Sequence, residues 1–218
     1  VFSRIDLPNK PEIRALSEYV CETQRGTTLE KDGVKLKTTE HVLAALVGLE
    51  IDNIIIEIDG EEPPIMDGSS KFFVKALEEA GIVQQSKLRS EFVIKDVINF
   101  RDDETGSEIT IIPADNYQVT TMVDYETKVL GTQNATLNNL KEFKTDFANA
   151  RTFSFLHEIE TLLENDLIKG GDLNNAIVYV DKKISNETMG KLKKAFNRDK
   201  VSVCLLYTSD AADEWRRG

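Results

Sequence analysis

Lys37-Thr38-Thr39-Glu40-His41-Val42-Leu43-Ala44-Ala45-Leu46 is the stretch that decides how the first half of this chain is read. Two threonines, an acid and an imidazole stand directly before a continuous apolar run, and the spacing predicts a helix from about Glu40 to Val47, stopped by Gly48. In such a helix Glu40 and His41 occupy the first turn, where unpaired backbone N–H groups and the positive end of the dipole favour a carboxylate and disfavour an imidazolium. A neutral imidazole beside an ionised acid suits a metal ligand with a neighbouring general base. The same pair also suits the polar first turn of an ordinary capped helix, and taken alone the two residues leave both readings open.

On either side of this helix the pattern is that of a sheet. Tyr19 to Thr23 and Thr27 to Glu30 read as extended, and Lys31-Asp32-Gly33 before alternating Val34-Lys35-Leu36-Lys37 reads as a hairpin with a tight Asp-Gly turn. Asn53 to Asp59 is rich in β-branched residues and reads as a strand. After Pro63-Pro64, Asp67 serves as a turn residue and helix starter in Asp67-Gly68-Ser69, and a second helix places Phe73, Ala76, Leu77 and Ala80 on one face before stopping at Gly81. Residues 84–91 lack apolar periodicity and read as a linker between a first domain, 1–83, and a second, 92–203.

The second half repeats the order. Phe92 to Phe100, Glu108 to Ile112 and Gln118 to Tyr125 read as strands, with Gly106 in the first turn. A helix carrying Leu140, Phe143 and Phe147 follows, then a helix from Phe155 to Leu163, a break at Gly170-Gly171, a buried strand over Ala176 to Val180, and a helix from Asn186 to Arg198 capped by Ser185 or Asn186. Strands first and helices after them argue for an α+β fold in each half rather than a doubly wound parallel sheet.

Composition narrows the function classes. A chain of 218 residues with 40% apolar content can bury a real core, and a net charge of −11 argues against nonspecific affinity for nucleic acid or anionic lipid. Cys21 and Cys204 cannot build a disulfide framework, which fits a reducing, cytoplasmic setting. The longest apolar run, Val42 to Leu49, is far short of the ~20 residues a membrane helix needs, and no signal peptide opens the sequence. Val1 is not an initiator methionine, so an incomplete start is expected.

Four ordered blocks carry a resemblance. Thr38-Thr39-Glu40-His41-Val42-Leu43-Ala44-Ala45-Leu46-Val47-Gly48-Leu49-Glu50-Ile51-Asp52-Asn53, Pro64-Ile65-Met66-Asp67-Gly68-Ser69, Ala150-Arg151-Thr152-Phe153-Ser154-Phe155, and Gly170-Gly171 followed by Ala176-Ile177-Val178 resemble the zinc-dependent UDP-3-O-acyl-N-acetylglucosamine deacetylases of lipid A biosynthesis, over about residues 1–203. The resemblance implies two similar domains, each a sheet packed with two helices, with the active site between them. It implies a small-molecule substrate, one catalytic Zn2+, and hydrolysis of the sugar's 2-acetamido group to acetate and a free amine. Glu40 is then the general base, His41 one of three zinc ligands, and Thr152 a hydroxyl that helps hold the oxyanion. Asp124 and Tyr125 match a pair that contacts the uridine end, and residues from Phe155 to Asn175 match an element shaping a hydrophobic passage for the acyl chain. Read without the resemblance, Thr152 is a strand-end hydroxyl, Asp124 and Tyr125 are strand residues, and Phe155, Leu156, Ile159 and Leu163 are core at helical spacing.

The departures from the family pattern matter too. The family takes its two further zinc ligands from a His-x-x-x-Asp helix, and this sequence contains none. The other histidine, His157, has Thr161 four positions on and reads as a solvated helix residue. A late general-acid histidine, a lysine beside the ligand histidine, and an N-terminal glycine-histidine segment are also missing from the pattern. The sequence from Cys204 to Gly218 departs abruptly and is expected to be a non-native tail. Two expectations follow: a zinc amidohydrolase of which this chain is an interrupted, inactive copy with weak zinc binding, or a noncatalytic fragment that binds nucleotide or acyl chain or docks to a partner.

Overall fold

The computed structural model describes residues 1–127, 129–159, 174–180 and 184–195. Leu163, Gly170-Gly171, the end of the last helix at Arg198 and the expected tail from Cys204 lie outside the described residues.

The first half holds two three-stranded sheets. β1 (Phe2–Arg4) runs antiparallel to β2 (Glu12–Ile13) and parallel to β6 (Ile56–Ile58), in the order β2-β1-β6. β3 (Val20–Glu22), β4 (Thr28–Lys31) and β5 (Val34–Leu36) form an antiparallel meander. Its β4–β5 turn is the expected Asp-Gly hairpin: Asp32 and Gly33 take φ of 52° and 78°, the consecutive left-handed conformations that match the twist of the flanking strands. β1 and β2 escape the sequence pattern because each is two or three residues long. β6 is shorter than expected, three residues from a longer apolar run.

α1 (Glu40–Gly48) and α2 (Lys71–Ala80) lie where the spacing placed them. Thr39 precedes α1, yet it does not cap it: the side chain is fully buried and its hydroxyl donates to the Thr27 carbonyl at 3.0 Å. α1 presents Val42 to one core, formed with Phe2, Ile13, Leu29, Leu36 and Ile58. It presents Ala45 to another, formed with Val74 of α2 and Ala148. The buried face of α2 is Phe73, Val74 and Leu77; Ala76 and Ala80, expected on that face, are exposed. The contact is a narrow stripe: α2 meets α1 and the 143–148 segment, and Phe73 also reaches the first core. Gly81 ends α2 at φ 86°.

From residue 98 on, the described strands form three separate two-stranded ladders, where one sheet was expected. β7 (Ile98–Arg101) pairs with β8 (Glu108–Ile111), and β9 (Val119–Asp124) with β10 (Thr132–Leu137), both antiparallel. β11 (Phe153–Phe155) and β12 (Ile177–Tyr179) run parallel. Residues 92–97, read as strand, pair with nothing described; β7 starts at Ile98. β10 was not anticipated, since Thr132-Gln133-Asn134-Ala135-Thr136 is polar and exposed, with only Leu137 buried.

The expected helix through Leu140, Phe143 and Phe147 is a 3-10 turn, Leu140–Glu142, followed by a π turn, Phe143–Phe147. The Ala148 N–H bonds back five residues to the Phe143 carbonyl at 2.7 Å, which turns Phe143 and Ala148 together onto α1. Phe155 is also corrected: it is the last residue of β11, and helical structure begins one residue later, at 156–159. Leu156 and Ile159 are core, packed with Val180 and with Leu192 of α3 (Asn186–Ala195). α3 is capped by Ser185, whose hydroxyl accepts the Thr188 N–H at 3.0 Å. Among the described residues no helix is long and apolar enough to cross a membrane.

Gly48 sits where a Cβ would overlap the Phe143 ring. Alanine favours a helix by about 1 kcal/mol over glycine, yet Gly48→Ala is expected to destabilise by about 1–3 kcal/mol through overpacking. A melting midpoint equal to or above that of the parent would contradict this packing.

Candidate active site

The start of α1 is stitched to a strap formed by residues 25–27. Thr39 donates to the Thr27 carbonyl through both its N–H and its hydroxyl, and the Thr27 N–H in turn donates to Glu40 Oε2 at 2.8 Å. The carboxylate is aimed by a backbone donor rather than left to rotate. Gly26 lies against it, and a Cβ there would come within 3.3 Å of Glu40 Oε1. Arg25 and Thr38, on the two sides of this contact, both take left-handed φ, 57° and 51°. Strained backbone of this kind persists only where surrounding bonds enforce it. His41 is largely buried, its Nε2 3.8 Å from Glu40 Oε1.

A second element reaches the same helix start. The Ser70 hydroxyl donates to the His41 carbonyl at 2.9 Å. Ser70 ends a tight turn in which Asp67 Oδ1 accepts from the Ser69 N–H and hydroxyl, at 3.2 and 2.6 Å, while Oδ2 pairs with Lys71 at 2.9 Å. Burial pushes the Asp67 carboxyl up, but the Ser69 and Lys71 donors outweigh it and hold the group below its usual range. At its other end the turn meets Thr152: the Gly68 carbonyl accepts the Thr152 N–H at 2.7 Å. Gly68 has φ 80°, and a Cβ there would overlap the Asn175 carbonyl oxygen and come within 2.9 Å of Thr152 Cγ2. Arg151 donates to the carbonyls of Asp67, at 2.7 Å, and Asn174. The Glu40-His41 pair and Thr152, far apart in the sequence, are thus joined through one short turn.

The other expected site residues gather differently. Tyr125 and Phe155 belong to one aromatic cluster with Phe153 and Tyr179, with Tyr125–Phe153 ring centroids 5.4 Å apart and Tyr125–Phe155 centroids 6.3 Å apart. Edge-to-face pairs of this kind pack stably. Two residues assigned to opposite ends of a substrate are therefore neighbours. Asp124 stands apart from the cluster, exposed, its carboxylate closing a local turn on the Glu126 N–H at 2.9 Å. His157 is exposed, as its helical spacing implied, and stacks on Phe155 at 5.5 Å.

Glu158 is a residue that the sequence did not single out. Its Oε2 accepts the Phe155 N–H and the Ser154 hydroxyl, at 2.9 and 2.8 Å, which caps the helical residues 156–159, while Oε1 meets Arg25 at 3.2 Å. Arg151 and Gly68 were quoted without a role, and Ser70 was not singled out at all. The sequence signal for Arg151 and Gly68 was their place in the matching blocks Asp67-Gly68-Ser69 and Ala150-Arg151-Thr152.

A tetrahedral zinc centre takes three protein ligands and keeps one open position. Among the described residues no group of three His, Cys, Asp or Glu side chains converges. His41 offers one imidazole beside Glu40, so the described donor set does not by itself fit the metal.

Comparison with known proteins shows the family of the chain. Residues 1–202 match the family model of the UDP-3-O-acyl N-acetylglycosamine deacetylases, LpxC, and the chain belongs to that family. It is 46% identical over 189 residues to the bifunctional enzyme LpxC/FabZ of Bacteroides thetaiotaomicron, a match covering 87% of this chain and 41% of that protein. A bifunctional LpxC/FabZ of Chlorobaculum tepidum is 45% identical over 204 residues, 93% of this chain and 43% of the relative. The UDP-3-O-acyl-N-acetylglucosamine deacetylase of Myxococcus xanthus is 37% identical over 202 residues, 92% of this chain and 64% of the relative. The chain thus spans about two fifths of the bifunctional relatives and somewhat under two thirds of the Myxococcus protein.

The donors around Glu158 have a consequence for stability. Burial raises its carboxyl, but the Phe155 N–H, the Ser154 hydroxyl, Arg25 and His157 together hold it below its ordinary value of 4.5. A depressed folded-state value stabilises the fold above the unfolded value and loses that contribution as pH falls through the folded one. Glu158→Gln, which keeps an acceptor for the cap, is expected to be less stable than the parent near neutral pH, with the two denaturation curves converging as pH falls below 4.5 and through the depressed folded-state value. A constant gap across that range would show that the charge on Glu158 contributes nothing.

Proposed function

We propose that this chain acts in the hydrolysis of the 2-acetamido group of UDP-3-O-acyl-N-acetylglucosamine in lipid A biosynthesis, in a reducing cytoplasmic setting. The observation that carries the reading is the Glu40 carboxylate, aimed by the Thr27 N–H beside His41 and tied through the 67–70 turn to Thr152. Glu40 takes a proton from water, the water oxygen bonds to the acetamide carbon, and the Thr152 hydroxyl donates to the carbonyl oxygen as charge grows on it. The carbon–nitrogen bond then breaks, the proton passes to nitrogen, and acetate and the amine leave. Asp124 and Tyr125 contact the uridine, Phe155 lines the path of the acyl chain, and the site lies between two similar domains, 1–83 and 92–203, joined by the linker 84–91.

His41 is assigned as one ligand of the family's Zn2+, in a chain whose sequence contains no His-x-x-x-Asp pair. The 218-residue chain is expected to bind zinc weakly and to turn over little or nothing. A second reading, a noncatalytic binder of nucleotide or acyl chain, is favoured by that same single imidazole.

Acetate release from the nucleotide sugar, measured with the 218-residue chain and added zinc, separates the two. The first reading expects slow release that falls at least ~10²-fold in Glu40→Ala and about 10²-fold in Thr152→Ala, with zinc retained in Glu40→Ala and lost in His41→Ala. Binding of the nucleotide sugar by calorimetry, with no acetate above the buffer rate, establishes the second. Release unchanged in Glu40→Ala removes the base assignment.

A further inference from the structure

We infer that Arg151 is a positioning residue for Thr152: by bolting the Asp67–Gly68 turn to Asn174, it sets where the Thr152 side chain stands relative to the first turn of α1. The catalytic meaning of that position rests on the function proposed above; the clamp itself rests on geometry.

Thr152 stands at the end of a ladder only three residues long, β11 with β12, where its carbonyl accepts the Ile177 N–H at 3.0 Å. A ladder that short has little stiffness of its own, and among the described residues its links to the first half of the chain include the 67–70 turn and the exposed Arg25–Glu158 pair. The turn is fixed to α1 at one end, by the Ser70 hydroxyl on the His41 carbonyl, and to Thr152 at the other, by the Gly68 carbonyl. Arg151 grips both sides of the second joint. Its Nε reaches the Asp67 carbonyl, 84 residues earlier in the sequence, and an Nη reaches the Asn174 carbonyl, 23 residues later.

A guanidinium can do this because its donors leave a rigid plane in different directions, whereas a lysine ammonium is a single point on a flexible stem. Gly68 completes the joint from below. At φ 80° and with no Cβ, it lets the Asn175 carbonyl and the Thr152 methyl close over the turn. A hydroxyl meant to meet a developing oxyanion has to be held to within a fraction of an ångström, and a shift of about 1 Å is enough to cost on the order of 10²-fold in rate.

The test is methyl NMR on the 218-residue chain with labelled threonines. In the parent, the Thr152 methyl is expected to show a single rotamer and a cross-peak to the Gly68 α-protons. In Arg151→Gln that cross-peak is expected to vanish and the methyl to average between rotamers. The buried Thr28 and Thr39 methyls, beside the start of α1, are expected to keep their parent shifts. Arg151→Lys retains one donor and is expected to weaken the cross-peak; it decides the matter if Arg151→Gln does not fold. A Thr152 methyl unchanged in Arg151→Gln overturns the inference. So does a perturbation in Arg151→Lys that moves Thr28 and Thr39 as far as Thr152, which would make Arg151 a general stabiliser. The readout needs no turnover, so the proposed reaction fails on acetate release and the clamp on the methyl signal, each independently of the other.

Discussion

α1 packs into two cores at once, and the rest of the architecture depends on that constraint. Val42 faces the strands of the first half while Ala45 faces α2 and the π turn. Small residues at Ala45, Gly48 and Ala148 let the backbones approach closely on the second side. A helix buried on both flanks cannot shift its register without breaking one core, so its first turn is held at a fixed place. That turn carries Glu40 and His41, and the precision of the site is inherited from the packing two turns away.

The acids around the site share one mode of support. Glu40 is held by a backbone N–H, Asp67 by the Ser69 hydroxyl and Lys71, and Glu158 by a backbone N–H, the Ser154 hydroxyl and Arg25. In a protein with a net charge of −11, carboxylates close to one another repel, and each remains in place because local donors compensate it. Two of these donors, the Thr27 N–H on Glu40 and Arg25 on Glu158, also join separate parts of the chain. Arg25 shows the connection most directly, since it adjoins the glycine packed on Glu40 and pairs with Glu158.

Elements whose signal is local were legible in the sequence. The Asp32-Gly33 hairpin follows from the left-handed conformations its strand twist requires, and α1 and α2 follow from apolar spacing and the glycine near each end. Elements without a local signal were not. β10 is polar and exists because β9 lies beside it, and Phe143 to Phe147 read as a regular helix because a five-residue backbone bond leaves no mark in residue spacing. Phe155 was assigned to a helix because Phe155, Leu156 and Ile159 fit helical spacing; pairing with β12 holds it in a strand instead.

The sequence by itself determined the chemistry available: an acid and an imidazole at one helix start, a hydroxyl within a matching block, and membership of a deacetylase family legible from four ordered motifs. Tertiary structure alone decided how those groups relate. Ser70 meets His41 across 29 residues, Arg151 meets Asp67 across 84 and Arg25 meets Glu158 across 133. Such contacts form only after the loops between them have closed, and their energy comes from burial and hydrogen bonding that no local pattern encodes.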